Sequence, residues 1–437
     1  MSVSGYGKEP HQLRHHQLSH KTLTALAGEG GAIDAVQDLI AVEYSKHLTF
    51  LWGVVDAAAG SEQHALARSG YDLLAEAFRE NPHAVGTVIR HPSIGVWARR
   101  TIHACHGGPV LRGAEPAALR AVGAAAAIRA GLPAEIEVAV SDGRVMLPSL
   151  GAARLPGDTA LVRCGPDNAE IGQVRMPTDP HRDAPGWLGL RRIRAGALDV
   201  LIDDLDPFRM PDTGDLTPRT DTGRWDAALR AAWPVLERNH PGVAAEVAAL
   251  VSAIVPRFAP PSSQRHVSTS SPEAFGAIGM SFPPDPVTCA LTLVHEAQHL
   301  KLGALLDVVT LTLPDDGSLY YAPWRDDPRP IGGLLQGAYA HLGVSGFWRR
   351  QRRLPGDQRR ADVEYARWRE AAALAVETLR SSGRLTRAGL EFVNEMAHTL
   401  GPWQEEPVPI EATAAARQAA EAHQAQWQRA HGRIAAG

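Results

Sequence analysis

VHEAQHLKLGALL, residues 294–306, places His295 and His299 four positions apart with Glu296 beside the first. On a helix this spacing puts both imidazoles on one face, close enough to share one ion. Leu291, Leu293, Val294, Ala297, Leu300, Leu302, Leu305 and Leu306 make the segment apolar nearly all round, which predicts a buried helix. Burying two histidines and a glutamate without partners costs several kcal/mol, and a divalent metal would satisfy them. The plainer reading is a pair of hydrogen-bonded core histidines. The pattern is HExxH, in which a catalytic metal takes three protein ligands and keeps at least one open position.

The neighbouring segments supply the rest of a site. AFGAIGMSFP, residues 274–283, reads as a strand placed like the edge strand above the metal helix of zincin-type enzymes. The longer pattern HExxHxxGxxH is not met, because Leu302 and Leu305 stand where Gly and His would be. A third ligand must then come from a later helix. His341, in GGLLQGAYAHLGVSGFW, is the best candidate, since the small residues around it allow close helix approach. Glu364, Glu391, Glu395 and His398 are weaker candidates. Two chemistries suit such a site. With Zn(II), Glu296 would be the general base on an activated water. With Fe(II), open positions would take a 2-oxo acid and dioxygen, and an arginine would anchor the acid's carboxylate. Arg325 and Arg329, in YYAPWRDDPRPIGG, and Arg265, in RHVSTSS, are candidates for that anchor. Tyr320, Tyr321 and Tyr339 fit either a cleft or the core. Lys301 points away from His299 and is left out.

The fold expected is α+β and mainly helical, with a zincin-like HExxH helix beside an edge strand. Residues 1–115 read as an N-terminal helical region broken at GEGG, 116–215 as β-rich, and 216–437 as the helical metal-binding catalytic domain. Ser141-Asp142-Gly143, between AEIEVAV and RVMLPSL, is a hairpin signal. Asp203, Asp204 and Asp206 lack the oxygen-ligand pattern of a calcium loop and read as a solvated turn after a buried strand. A net charge of −4 argues against nucleic acid and anionic membranes as partners. Neither a signal sequence nor a membrane-length apolar run is evident. Cys105, Cys164 and Cys289 stand far apart, which fits a reducing, cytoplasmic setting. His11, His15, His16 and His20 belong to a polar terminus rather than a metal tract.

HVSTSSPEAFGAIGMSF, LVHEAQHLKLGALLDVV and YYAPWRDDPRPIGGLLQGAYAHLGVSGFW together resemble a family of HExxH-motif proteins that act on ribosomally made, modified peptides (RiPP biosynthesis). GEGGAIDAVQDLIAVEYSKHLTFLWGVVDAA, HPSIGVWARR and LDVLIDDLDPFR resemble it too, so the likeness covers most of the chain. That family is described as 2-oxoglutarate-dependent, HExxH-type peptide β-hydroxylases. The resemblance implies Fe(II) rather than zinc, 2-oxoglutarate and dioxygen as co-substrates, and a precursor-peptide side chain as target. His295, Glu296 and His299 fall on the family motif and His341 on the QGAYAH stretch. The ligand role of His341 and the placing of 2-oxoglutarate near Arg325 or Arg329 come from spacing, not from the family. Without a hydrolytic water, Glu296 would orient a ligand histidine or a metal-bound water. The zinc peptidase, and a non-catalytic peptide-binding protein with a structural metal, remain as other readings.

Overall fold

Proline and glycine breaks divide the apolar periodic stretches into helices at the expected places. The computed structural model describes residues 16–212, 219–257 and 266–432, which are mainly helical with three small sheets. The N-terminal part carries α1 (His20–Leu26), α2 (Ile33–Ala57), α3 (His64–Glu80), α4 (Pro82–Ile89), α5 (Pro92–Cys105) and α6 (Leu119–Ala130). Gly30 and Gly31, in the expected GEGG break, take positive φ between α1 and α2. Pro82 and Pro92 open α4 and α5, where a missing N–H costs nothing.

The middle holds nine strands: β1 (Ala134–Ala139), β2 (Arg144–Leu147), β3 (Gly151–Arg154), β4 (Thr159–Cys164), β5 (Ala169–Ile171), β6 (Val174–Arg175), β7 (Trp187–Gly189), β8 (Arg191–Ala195) and β9 (Leu198–Ile202). The expected turn forms, with Asp142 at φ 53° and Gly143 at φ 68°. The strands beside it nevertheless part company. All six residues of β1 pair with β4, whereas β2 pairs with β3 in another sheet. A six-residue match with β4 offers β1 a longer ladder than four-residue β2 can.

The C-terminal part runs α7 (Thr222–Asn239), α8 (Pro241–Leu250), β10 (Ala253–Pro256), β11 (Ser268–Thr269), β12 (Ala277–Met280), α9 (Pro286–Leu306), α10 (Ile331–Gln351), α11 (Gln358–Ser381), α12 (Arg387–Gln404) and α13 (Ile410–His431). The site rests on a mixed sheet of order β11-β12-β10-β9-β8. In it β10 is parallel to both β9 and β12, and β11 closes one side antiparallel to β12, with Thr269 opposite Gly279. The strand expected at 274–283 is therefore present as β12 but lies inside the sheet. The edge beside the HExxH helix is β11, too short and polar to show as a strand in the sequence.

Two large apolar clusters form. One joins α1 and the start of α2 to β8–β10, β12 and the helices α7–α12. The other joins the rest of α2 to α3–α6 and strands β1–β7. Helix α9 is buried on most of its surface, as its composition requires. Among the described residues, no helix is long and apolar enough to cross a membrane.

Candidate metal centre

Asp285 caps α9 by accepting from the Thr288 backbone N–H, and Pro286 starts its first turn. Two turns on, His295 and His299 lie on one face as the spacing demands. Their Nε2 atoms are 3.1 Å apart and their ring planes are near perpendicular. Two nitrogens bound to one ion at about 2.1 Å would stand roughly 3.0–3.4 Å apart for octahedral or tetrahedral angles. The observed separation fits.

Helix α10 brings His341 beside this pair, although the ligand nitrogens of the three rings do not all lie within 4.8 Å of one another. Its ring centre is 5.5 Å from that of His295, with the planes at 85°. Helix α10 can lie this close because it is lined with small residues. A Cβ at Gly343 would come within 2.7 Å of the Gln298 side chain on α9. One at Gly337 would strike the Trp324 indole. Trp324 stacks on His341 at 4.3 Å and 15°, and Trp368 of α11 covers the ring from 4.7 Å.

Hydrogen bonds fix two of the three rings. The Gly337 carbonyl can only accept, so His341 Nδ1 carries the proton, at 2.8 Å. The Gln336 Oε1 likewise accepts from His299 Nδ1, at 3.1 Å. In the neutral form of either ring Nε2 is then a bare lone pair, the form in which imidazole binds a metal. Burial, and next the neighbouring His299, push His295 down to about 3, although part of its surface stays open. Burial, and next His295, hold His341 well below the usual histidine value. Neutral imidazoles are thereby favoured at neutral pH.

Glu296 is buried and faces the sheet edge. Its Oε1 accepts from Ser268 Oγ of β11 at 2.7 Å, and its Oε2 has no hydrogen-bond partner among the described residues. His266 stands beside it with both ring nitrogens engaged, by Thr292 Oγ1 and Ser281 Oγ, each at 3.0 Å.

The candidate arginines fare differently from the histidines. Arg325 and Arg329 both pair with Asp327, at 2.7 and 3.3 Å, within the loop between α9 and α10. Arg265 lies outside the described residues, as do His11 and His15. Arg367 of α11 was not singled out by sequence. It is half-buried, lies 4.4 Å over the Trp368 ring, acts electrostatically on His341, and makes no ion pair among the described residues.

Tyr339 is a core residue that donates to the Leu26 carbonyl, and Tyr321 meets His423 of α13 at 2.8 Å. Glu364 accepts from Trp368 Nε1, and Glu391 pairs with Arg387 and His20. Lys301, set aside by its direction, is buried against Glu246 at 2.7 Å. Glu246 also accepts from the Ala32 N–H, so this pair ties the HExxH helix to the start of α2.

The aspartates after β9 do not form the solvated turn expected. Asp203, Asp204 and Asp206 are all buried. Asp204 is held by Arg191 and Arg219 at 2.5 and 2.6 Å and by the Thr220 N–H at 2.7 Å. The segment bends as a turn, but His91 at the start of α5 and two arginines lie against its carboxylates. Among the described residues, the group of three whose ligand atoms all lie within 4.8 Å of one another is His91, Asp203 and Asp206, which could also hold a metal ion.

No protein-family model matches the chain, and no curated protein matches it.

Proposed function

We propose that this protein is an Fe(II)- and 2-oxoglutarate-dependent hydroxylase acting on a side-chain β-carbon of a ribosomally made precursor peptide, through a zincin-like centre of His295, His299 and His341. The observation that carries the metal site is the pair of Nδ1 hydrogen bonds, from His299 to Gln336 and from His341 to Gly337, that leave Nε2 as the metal-binding nitrogen of each neutral ring. Support for iron, 2-oxoglutarate and peptide comes from the motif resemblance. When bound, iron with 2-oxoglutarate and dioxygen supplies the oxidising power that puts oxygen into a C–H bond.

The remaining work falls to the chain's own residues. Arg367, without a carboxylate partner among the described residues, would take a co-substrate carboxylate in a bidentate pair. Trp324 and Trp368 shield His341 and exclude water from that side. Ser268 holds Glu296 away from free rotation. The edge of β11 is a place where a peptide can add as a strand. Three free cysteines suit a cytoplasmic setting.

One observation favours a second reading, a zinc-dependent peptidase: Glu296 Oε2 is buried without a partner among the described residues and could receive a proton. Anaerobically reconstituted protein given Fe(II), 2-oxoglutarate, oxygen and precursor peptide separates the two. Succinate formation with a one-oxygen mass gain on the peptide supports hydroxylation. Peptide cleavage without 2-oxoglutarate sinks it in favour of the peptidase.

A further inference from the structure

His91 caps the N-terminus of α5, and Asp203 and Asp206 follow β9, so the two segments come from different layers of the fold. Their ligand atoms all lie within 4.8 Å of one another. The three side chains are 3%, 1% and 3% exposed.

The cluster contains a buried nitrogen without a partner. The Ser93 oxygen lies 2.8 Å from His91 Nδ1. His91 Nε2 is buried and has no hydrogen-bond partner among the described residues. It faces Asp203 Oδ2 at 3.8 Å, beyond the reach of an N–H···O bond.

The two outer carboxylates, Asp203 and Asp206, also lack a direct ion pair with Arg or Lys among the described residues, whereas Asp204 between them has two arginines. Buried Arg209 acts on Asp203 from nearby, yet its Nη1 donates to the Asp206 backbone carbonyl. Asp203 Oδ1 is occupied by the Leu205 and Asp206 N–H groups and Asp206 Oδ1 by that of Phe208, which fixes both carboxylates in place.

We infer that His91 Nε2, Asp203 and Asp206 bind a divalent cation at a second site, separate from the HExxH centre. One imidazole and two carboxylates form a mostly oxygen donor set, suited to Mn(II) or a similar first-row ion. A cavity of about 150 Å³, lined in part by Ser93, Trp97, Met146, Leu205, Asp206 and Phe208, adjoins the site at Ser93 and Asp206. The ion would join the start of α5 to the end of β9, and its role would be to hold the layers together.

Mn(II) itself is the probe, because it binds histidine-only sites weakly compared with carboxylate sites. In full-length protein carrying His295→Ala and His299→Ala, loss of the free Mn(II) electron paramagnetic signal should count one bound ion per chain. The melting temperature should rise by a few degrees on adding Mn(II). Adding Asp203→Asn or, independently, His91→Gln should weaken Mn(II) binding by more than tenfold and abolish that rise. Asp203→Asn keeps the shape, and His91→Gln serves should the first variant not fold. No stoichiometric Mn(II) in the double-alanine protein would overturn the inference, and so would binding undiminished in either added variant. In that case the cluster is a network of neutral acids and histidine.

Discussion

Replacing Gln336 by alanine tests how the proposed metal centre is held. The Gln336 Oε1 is the acceptor that leaves His299 with its proton on Nδ1, at 3.1 Å. Alanine removes that acceptor and lets the ring turn and exchange tautomers. A neutral hydrogen bond contributes about 1 kcal/mol net. A partner of a metal-bound histidine also sets ring orientation and basicity, and losing it usually weakens metal binding about 10–100-fold, roughly 1.4–2.7 kcal/mol. The bond here is at the long end of its range and the glutamine is half-buried. The loss should then lie near the lower limit, about tenfold. Co(II) absorbance titrations of parent and variant measure it directly, with circular dichroism to verify the fold. Gln336→Glu, which keeps an acceptor, should bind at least as tightly as the parent. Affinity within twofold of the parent for the alanine variant, or an equal loss for the glutamate variant, would refute the role given to His299 Nε2.

Lys301→Met should destabilise the protein by about 3–5 kcal/mol in urea melts, because it strands the buried Glu246 charge, and adding Glu246→Gln should recover most of that loss. Gly343→Val should cost about 1–3 kcal/mol by pushing α10 off Gln298, and metal affinity should fall with it; a variant as stable as the parent would contradict the packing argument. His240 is buried on Phe347, and burial, then Arg350, lower it to about 4. Unfolded chains take up that proton below about pH 6.5 and the folded chain only near 4, so its contribution is complete above 6.5 and lost as pH falls between the two. His240→Phe should therefore remove up to about 3 kcal/mol of the stability change between pH 7 and 4, read from urea melts at both values.

How much the sequence could reveal depended on whether a feature was local. His295 and His299 were legible because four residues of helix alone set their geometry. The burial of α9 was legible because its apolar residues surround it. His341 could be found only through the small residues near it, whose meaning is the close approach of α10 to α9. Gln336, Ser268, Trp324 and Arg367 gave no local signal, since each acquires a role only when α9, α10, α11 and the sheet edge meet. The turn at Asp142-Gly143 was read correctly, but its strands choose partners by ladder length across the sequence. Asp203 and Asp206 carry the composition of an exposed turn, and only tertiary packing makes them buried.

The central claim is that three histidines from α9 and α10 share one ion. Measuring tightly bound Fe(II) per chain in anaerobic parent, His295→Ala and His341→Ala proteins tests it most directly. The account predicts that each substitution removes the same single equivalent and leaves the fold intact. Retention of that equivalent in the His341→Ala protein would contradict it, and retention in the His295→Ala protein would contradict the reading of the HExxH helix itself.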